Sequence, residues 1–198
     1  MDSCKEEKLG LIDHEVYKKI SKNQYLALRR AGNIPKVIPS MCILVMKNNK
    51  YGKPLRAKSR IVDLGNFGDR LYQKSQRYAP FLKYSSLRLL TAKAVGYKRI
   101  LQQVDCKNAF CNANLPDNEV TVIRPPIGDP AFQEYEYWLL KKTLYGLCQS
   151  PYHWYNIIKG ILLKMGLKAS SHYPCLLSGV LEEPNSQKTI SEDQSHFM

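Results

Sequence analysis

From Ser40 onward, the alternation of apolar and polar positions lays out a series of short elements. Met41-Cys42-Ile43-Leu44-Val45-Met46-Lys47 is an apolar, β-forming run, Asn48 to Lys53 is an Asn/Gly turn, and Leu55 to Leu64 returns as a second strand. β-formers flanking an Asn/Gly cluster predict a hairpin. Ser85 or Ser86 can cap a helix in which Leu87, Leu90, Ala94 and Tyr97 recur at helical spacing, with Gly96 near its end. Ile100 to Asp105 reads as the next strand, Glu119 to Arg124 as another stopped by Pro125-Pro126, and Glu136 to Lys141 as a third. Ser150 as cap and Pro151 in the first turn open a helix with Trp154, Ile157, Ile158, Ile161, Leu162 and Met165 on one face and Gly166 as its stop. Pro174 to Leu181 is a further candidate strand.

Outside this series the pattern weakens. Residues 1–35 mix charges with a short helical pattern around Tyr17 to Arg30 and read as a lead-in segment, while residues 182–198 turn polar and read as a disordered tail. Residues 36–181 then form one α+β domain, within reach of a single core for a chain of 198 residues.

Charge narrows the choice of partner. The formal net charge is +13, and between residues 16 and 100 twenty Lys or Arg face only Asp63 and Asp69. Such a polycation suits a polyphosphate, because each neutralised phosphate releases condensed counterions. Tyr51, Phe67, Tyr72, Tyr78, Phe81 and Tyr84 lie among these charges and offer rings on which bases stack. The six cysteines form no C-x-x-C pair and have no histidine at ligand spacing, so a structural zinc site is not expected. The longest apolar run, Met41 to Met46, is too short to span a bilayer, and the first residues lack a signal peptide's apolar core. The chain therefore reads as intracellular, without a membrane and with reduced thiols.

The chemistry centres on Asp105. A carboxylate at a strand exit suits a divalent metal, and phosphoryl transfer by two metals holds ions about 3.5–4 Å apart between bridging carboxylates. By itself an Asp in that place is more often a turn or cap residue. The surrounding motifs add context: Val104-Asp105-Cys106-Lys107-Asn108-Ala109-Phe110, and Leu144-Tyr145-Gly146-Leu147-Cys148-Gln149-Ser150-Pro151 followed by Trp154-Tyr155. Together they resemble the reverse transcriptase of copia-type retrotransposons. Lys58-Ser59-Arg60-Ile61-Val62 with Gly65, Tyr78-Ala79-Pro80, Ser86 to Leu90, and Arg124-Pro125-Pro126-Ile127-Gly128 fall in the family's order, across roughly residues 36 to 180.

That resemblance implies a fingers hairpin plus a partial palm, a ferredoxin-like antiparallel sheet with packed helices. It implies an RNA-directed DNA polymerase using Mg2+ and acting on an RNA template, an RNA–DNA duplex and deoxynucleoside triphosphates, beside other parts of a polyprotein. Asp105 would be the catalytic metal ligand. Lys58 and Arg60 would contact nucleotide phosphates, Phe110 would exclude a 2′-hydroxyl, and Gly146 and Gln149 would border the nascent base pair. The plainer readings stay open beside these: a core aromatic for Phe110, a solvated lysine for Lys58 and a loop glycine for Gly146.

Departures from the family bear on activity. No Tyr-Val-Asp-Asp occurs in these residues, Tyr173 stands where an acidic residue precedes Pro-Cys, and Cys148 and Cys111 replace the usual Lys or Arg and Leu. A truncated, inactive polymerase portion is expected, with apolar surface bared near Val104, Val122 and Leu139. The alternatives are a non-catalytic nucleic-acid-binding remnant and a decayed fragment.

Overall fold

The computed structural model describes residues 3–32, 36–68, 72–134 and 136–179; the tail expected over 182–198 lies outside them. The chain begins with α1 (Ser3–Asp13), β1 (Tyr17–Ile20) and α2 (Lys22–Arg30). The helical pattern read over Tyr17 to Arg30 thus divides into a strand and a helix. The break falls at Ser21, whose hydroxyl accepts from the Gln24 N–H at 3.2 Å while the Gln24 side chain accepts from the Ser21 N–H at 2.8 Å. This reciprocal box satisfies two amide donors and fixes where α2 starts.

β2 (Ile38–Asn48) and β3 (Pro54–Asp63) form the expected hairpin, in register from Ser40 opposite Asp63 to Asn48 opposite Pro54. The Asn49 side chain closes its turn by accepting from Tyr51 and Lys53 N–H groups at 2.9 and 3.0 Å. After α3 (Lys74–Arg77) and α4 (Tyr84–Gly96) come β4 (Val122–Arg124), α5 (Pro130–Gln133) and β5 (Tyr137–Leu140). The series ends with α6 (Ser150–Lys164), β6 (Lys168–Ala169) and β7 (Leu177–Ser178).

The main sheet runs β1-β5-β4-β2-β3. Its neighbours are antiparallel except β2 and β4, which are parallel at Ile38 opposite Ile123. The antiparallel sheet expected from the sequence is therefore mixed. Side chains alternate across it, so β4 and β5 bury apolar groups on both faces. On one face Ile123, Trp138 and Leu140 pack with Leu11, Val16, Ile61 and Leu144; on the other Val122 packs with Ile20 and Tyr25. Tyr17 stacks on Trp138 at 4.1 Å and Tyr25 on Tyr137 at 5.0 Å, contacts worth about 0.5–1.5 kcal/mol each beyond the area they bury.

Several expectations change. Residues 3–30 are built into the sheet and core, because α1 lies on β3 and β1 extends the edge beyond β5. As a result Val122 is fully buried and Leu139 packs against the Ile20 cluster, where bared surface was expected. Ile100 to Asp105 is not a strand. It is irregular and exposed, Ile100 at 86% and Val104 at 85%, and pairs with no strand among the described residues. An apolar stretch becomes a strand only where a neighbour supplies a ladder. Ser150 lies in the first turn of α6 but does not cap it; its hydroxyl donates to the Leu144 carbonyl at 2.6 Å. Cys4 and Cys42 form a disulfide, overturning the expectation of reduced thiols; residues 38 apart meet only because α1 folds onto the hairpin. No helix among the described residues is long and apolar enough to cross a membrane.

Asp63 closes β3 inside the core, 2% exposed, and neither carboxyl oxygen has a hydrogen-bond partner among the described residues. Burial raises its pKa well above the ordinary carboxylate range. The folded state then binds the proton more tightly than the unfolded state, so its stability falls as pH rises from about 4 toward the folded pKa. Replacing Asp63 by Val should raise the unfolding free energy measured by urea denaturation at pH 8 by roughly 1–3 kcal/mol, with a smaller gain at pH 4.5. Equal gains at both pH values would show that the carboxyl does not titrate this way.

Candidate functional site

A cleft of about 780 Å3 opens between β3, α1 and the loop at residues 105–109. Its size lies within the roughly 300–1,000 Å3 typical of small-molecule sites. Arg56, Lys58 and Arg60 occupy alternate positions of β3 and are exposed, while Ser59 and Ile61 on either side of Arg60 are buried at 3% and 2%. Period-two alternation thus separates the cations from the core without desolvating them. Asp105 and Lys107 enter the cleft from the facing loop, both exposed.

The loop is shaped locally. Asn108 adopts a left-handed conformation with φ 51°, which Asn tolerates better than most residues, and the chain then makes a 3-10 turn at Ala109–Asn112. Asn112 donates to the Asn108 carbonyl at 3.2 Å, and the Thr143 hydroxyl donates to the Phe110 carbonyl at 2.6 Å. Cys111 anchors the turn in the core, its thiol pushed up to about 11 chiefly by burial and therefore unreactive at neutral pH.

Tyr145 connects the two walls. The Arg60 guanidinium lies 4.2 Å from its ring centroid and the Phe110 ring meets it edge-on at 5.0 Å. Burial raises the Tyr145 hydroxyl pKa, opposed by Arg60. Tyr145 belongs to the motif from which the family resemblance implies roles for Gly146 and Gln149 alone. The signal for it in the sequence is an aromatic immediately before a glycine in a turn, a place where a ring is held at a fixed angle.

Gly146 has φ +94°, and a Cβ built on it would lie 1.8 Å from the Asp63 carbonyl oxygen. Glycine is required there on both counts. Gln149 is brought elsewhere: 1% exposed, it donates to the Tyr72 hydroxyl at 2.7 Å beside a cavity of about 20 Å3 under the turn. Phe110 also lines a separate apolar groove of about 390 Å3 with Phe81, Trp154, Ile158 and Leu162. The structure therefore gathers Lys58, Arg60 and Asp105 around one space, sets Phe110 and Gly146 at its margin, and places Gln149 behind it.

From α1, Glu6 and Glu7 also line the cleft. Burial pushes the Glu7 carboxyl up, opposed by a hydrogen bond from the Ile61 backbone and by Arg60 and Lys58. No group of three or more His, Cys, Asp and Glu among the described residues is arranged to hold a metal ion. The cleft is thus equipped to take a phosphate-bearing ligand through guanidinium and ammonium donors, with aromatic surface nearby and a single carboxylate on the loop.

Residues 25–180 match the family model described as "Reverse transcriptase (RNA-dependent DNA polymerase)". The chain is 31% identical over 124 residues to a retrovirus-related Pol polyprotein from transposon RE1 of Arabidopsis thaliana, covering 63% of this chain and 8% of that protein. It is 27% identical over 149 residues to a retrovirus-related Pol polyprotein from transposon TNT 1-94 of Nicotiana tabacum, covering 74% of this chain and 11% of that protein. The chain thus spans about a tenth of these relatives' length. No solved structure matches it.

The Gly146 geometry is open to direct test. Gly146→Ala should destabilise the chain by more than about 2 kcal/mol, since a strained backbone is combined with a collision against backbone rather than a yielding side chain. Urea denaturation measures this, and a loss below about 0.5 kcal/mol would mean the turn has room to shift.

Proposed function

The chain belongs to the reverse transcriptase (RNA-dependent DNA polymerase) family, and we propose that it supplies the fingers hairpin and part of the palm of a copia-type RNA-directed DNA polymerase. The observation that carries this reading is the convergence of Arg56, Lys58, Arg60, Lys107, Asp105 and Tyr145 on one cleft. In this role the β2–β3 hairpin is the fingers element and the sheet beneath it is the palm portion. A deoxynucleoside triphosphate lies with its phosphates toward Lys58 and Arg60, for which the guanidinium fork provides paired donors. Tyr145 holds the Arg60 plane in place by a cation–π contact of about 0.5–2 kcal/mol. Phe110, braced by Tyr145 and by Thr143, excludes a 2′-hydroxyl on the incoming sugar. Gly146 borders the nascent pair directly, and Gln149 does so through the turn it supports from below. The RNA template and RNA–DNA duplex follow the basic hairpin, and other parts of a polyprotein are partners of the sheet.

The family generally uses Mg2+, for which Asp105 would be a ligand. The described residues do not fit a two-metal centre by themselves, because one exposed carboxylate on a loop does not bridge two ions against their hydration. Polymerisation is therefore not assigned to these 198 residues acting alone. The same observation favours a second reading, in which the chain binds nucleic acid without catalysis.

Two measurements separate these outcomes. RNA binding should weaken with salt with a log–log slope of about −3 if four cations are engaged, and Lys58→Ala with Arg60→Ala should flatten that slope by about 1–2. A slope near zero would remove the electrostatic groove from both readings. With magnesium, no primer extension by this chain is expected; extension that Asp105→Asn abolishes would show that the carboxylate set is complete after all.

A further inference from the structure

The first turn of α1 carries a group that the nucleotide reading leaves unused. Cys4 is bonded to Cys42 on β2, and both residues are only half-buried. A second cleft, about 380 Å3, opens onto this bond between Lys5, Lys8 and the loop from Pro126 to Pro130. A small thiol has room to reach the sulfurs from that side. The same helix presents Glu6 and Glu7 to the basic cleft, which Lys58 and Arg60 also line.

The anchors of α1 are unequally distributed. Its second half is tied by Leu11 in the core and by Lys8 paired with Asp129 at 2.7 Å. Its first turn is held by the disulfide and by a hydroxyl-to-hydroxyl bond between Ser3 and Ser59. Gly10 lies between Leu11 and the first two turns, and an eleven-residue helix carrying an interior glycine is marginal without tertiary support. Opening the disulfide therefore frays the end of the helix that carries Glu6 and Glu7.

We propose that the Cys4–Cys42 bond is a thiol-exchange site that sets the affinity of the basic cleft for a triphosphate: closed, it keeps the Glu7 carboxyl group in the cleft that Lys58 and Arg60 line, an acid competing with phosphate for those cations; opened, it lets that acid withdraw. The consequence for binding rests on the nucleotide reading of the cleft. The reaction needs a thiol reductant. A thiolate attacks the Cys42 sulfur, the S–S bond breaks, and the Cys4 sulfur leaves as a thiolate, favoured by its place in the first turn of α1 and by the neighbouring Lys5 and Lys8. A second thiol resolves the mixed disulfide. Two thiols are thereby oxidised to one disulfide as the two cysteines take up two electrons and two protons.

The full chain is prepared oxidised and then reduced with dithiothreitol, and each form is titrated with a fluorescent deoxynucleoside triphosphate while amide exchange is followed over residues 4–8. Reduction should speed that exchange and tighten binding roughly three- to fivefold, the scale of one partly screened charge interaction. Cys42→Ser should behave as the reduced protein in either buffer, and oxidised Glu7→Gln should bind as tightly as the reduced wild type. Reduced wild type supplies the same comparison if Cys42→Ser does not fold. Binding that is lost in Lys58→Ala yet indifferent to reductant and to Glu7→Gln overturns the latch and leaves the nucleotide reading standing. Faster exchange on reduction with no triphosphate bound by any form upholds the exchange site and overturns the nucleotide reading.

Discussion

The cleft depends on one close approach between two backbones. At the end of β3 the Asp63 N–H donates to the Tyr145 carbonyl at 2.7 Å, and the next residue, Gly146, lies so near Asp63 that no side chain fits. This contact seats the turn between β5 and α6 on the root of the hairpin. Arg60 stands three residues before the contact on one strand and Tyr145 at the contact on the other segment, so their stacking follows from it. Phe110 joins through Tyr145 and through the Thr143 hydroxyl on its carbonyl. A shift at Gly146 would move all three groups together.

The balance between charge and burial explains why so basic a surface coexists with a stable sheet. The cations of β3 share one face and keep their hydration, while Ser59, Ile61 and Asp63 on the other face meet α1 and the core. Asp63 departs from that division: its carboxyl oxygens find no hydrogen-bond partner among the described residues, and burial raises its pKa. Near the loop the opposite arrangement holds. Asp105 stays exposed, lining one cleft with Arg56, Lys58, Arg60 and Lys107.

Much of this architecture was legible in the sequence where the signal was local. The Asn-rich turn between β2 and β3, the apolar stripe of α6 and the prolines after β4 each fix an element through nearby residues. What was not legible depended on distant partners. Ile100 to Asp105 has the composition of a strand but no ladder to join, so composition alone misled. Tyr17 to Ile20 hides its strand character inside a helical-looking pattern, because its pairing with Tyr137 to Leu140 is more than a hundred residues away. The meeting of Cys4 with Cys42, and of Tyr145 with Arg60, likewise follows from packing rather than spacing. At the candidate site the motif order located Lys58, Arg60 and Asp105, whereas Gln149, polar and in a motif, turned inward to Tyr72.

The β2–β3 hairpin has a buried root and a free arm: Ile38, Ile61 and Asp63 are enclosed, while Leu44, Met46, Tyr51 and Leu55 are all more than half exposed. Folding therefore constrains the sequence of the root far more than that of the arm. Substitutions at these exposed positions remove little buried area, so the sheet's stability constrains the arm far less than the root. In a lineage of such chains, variation in what the arm grips would accumulate without first having to be made compatible with the core.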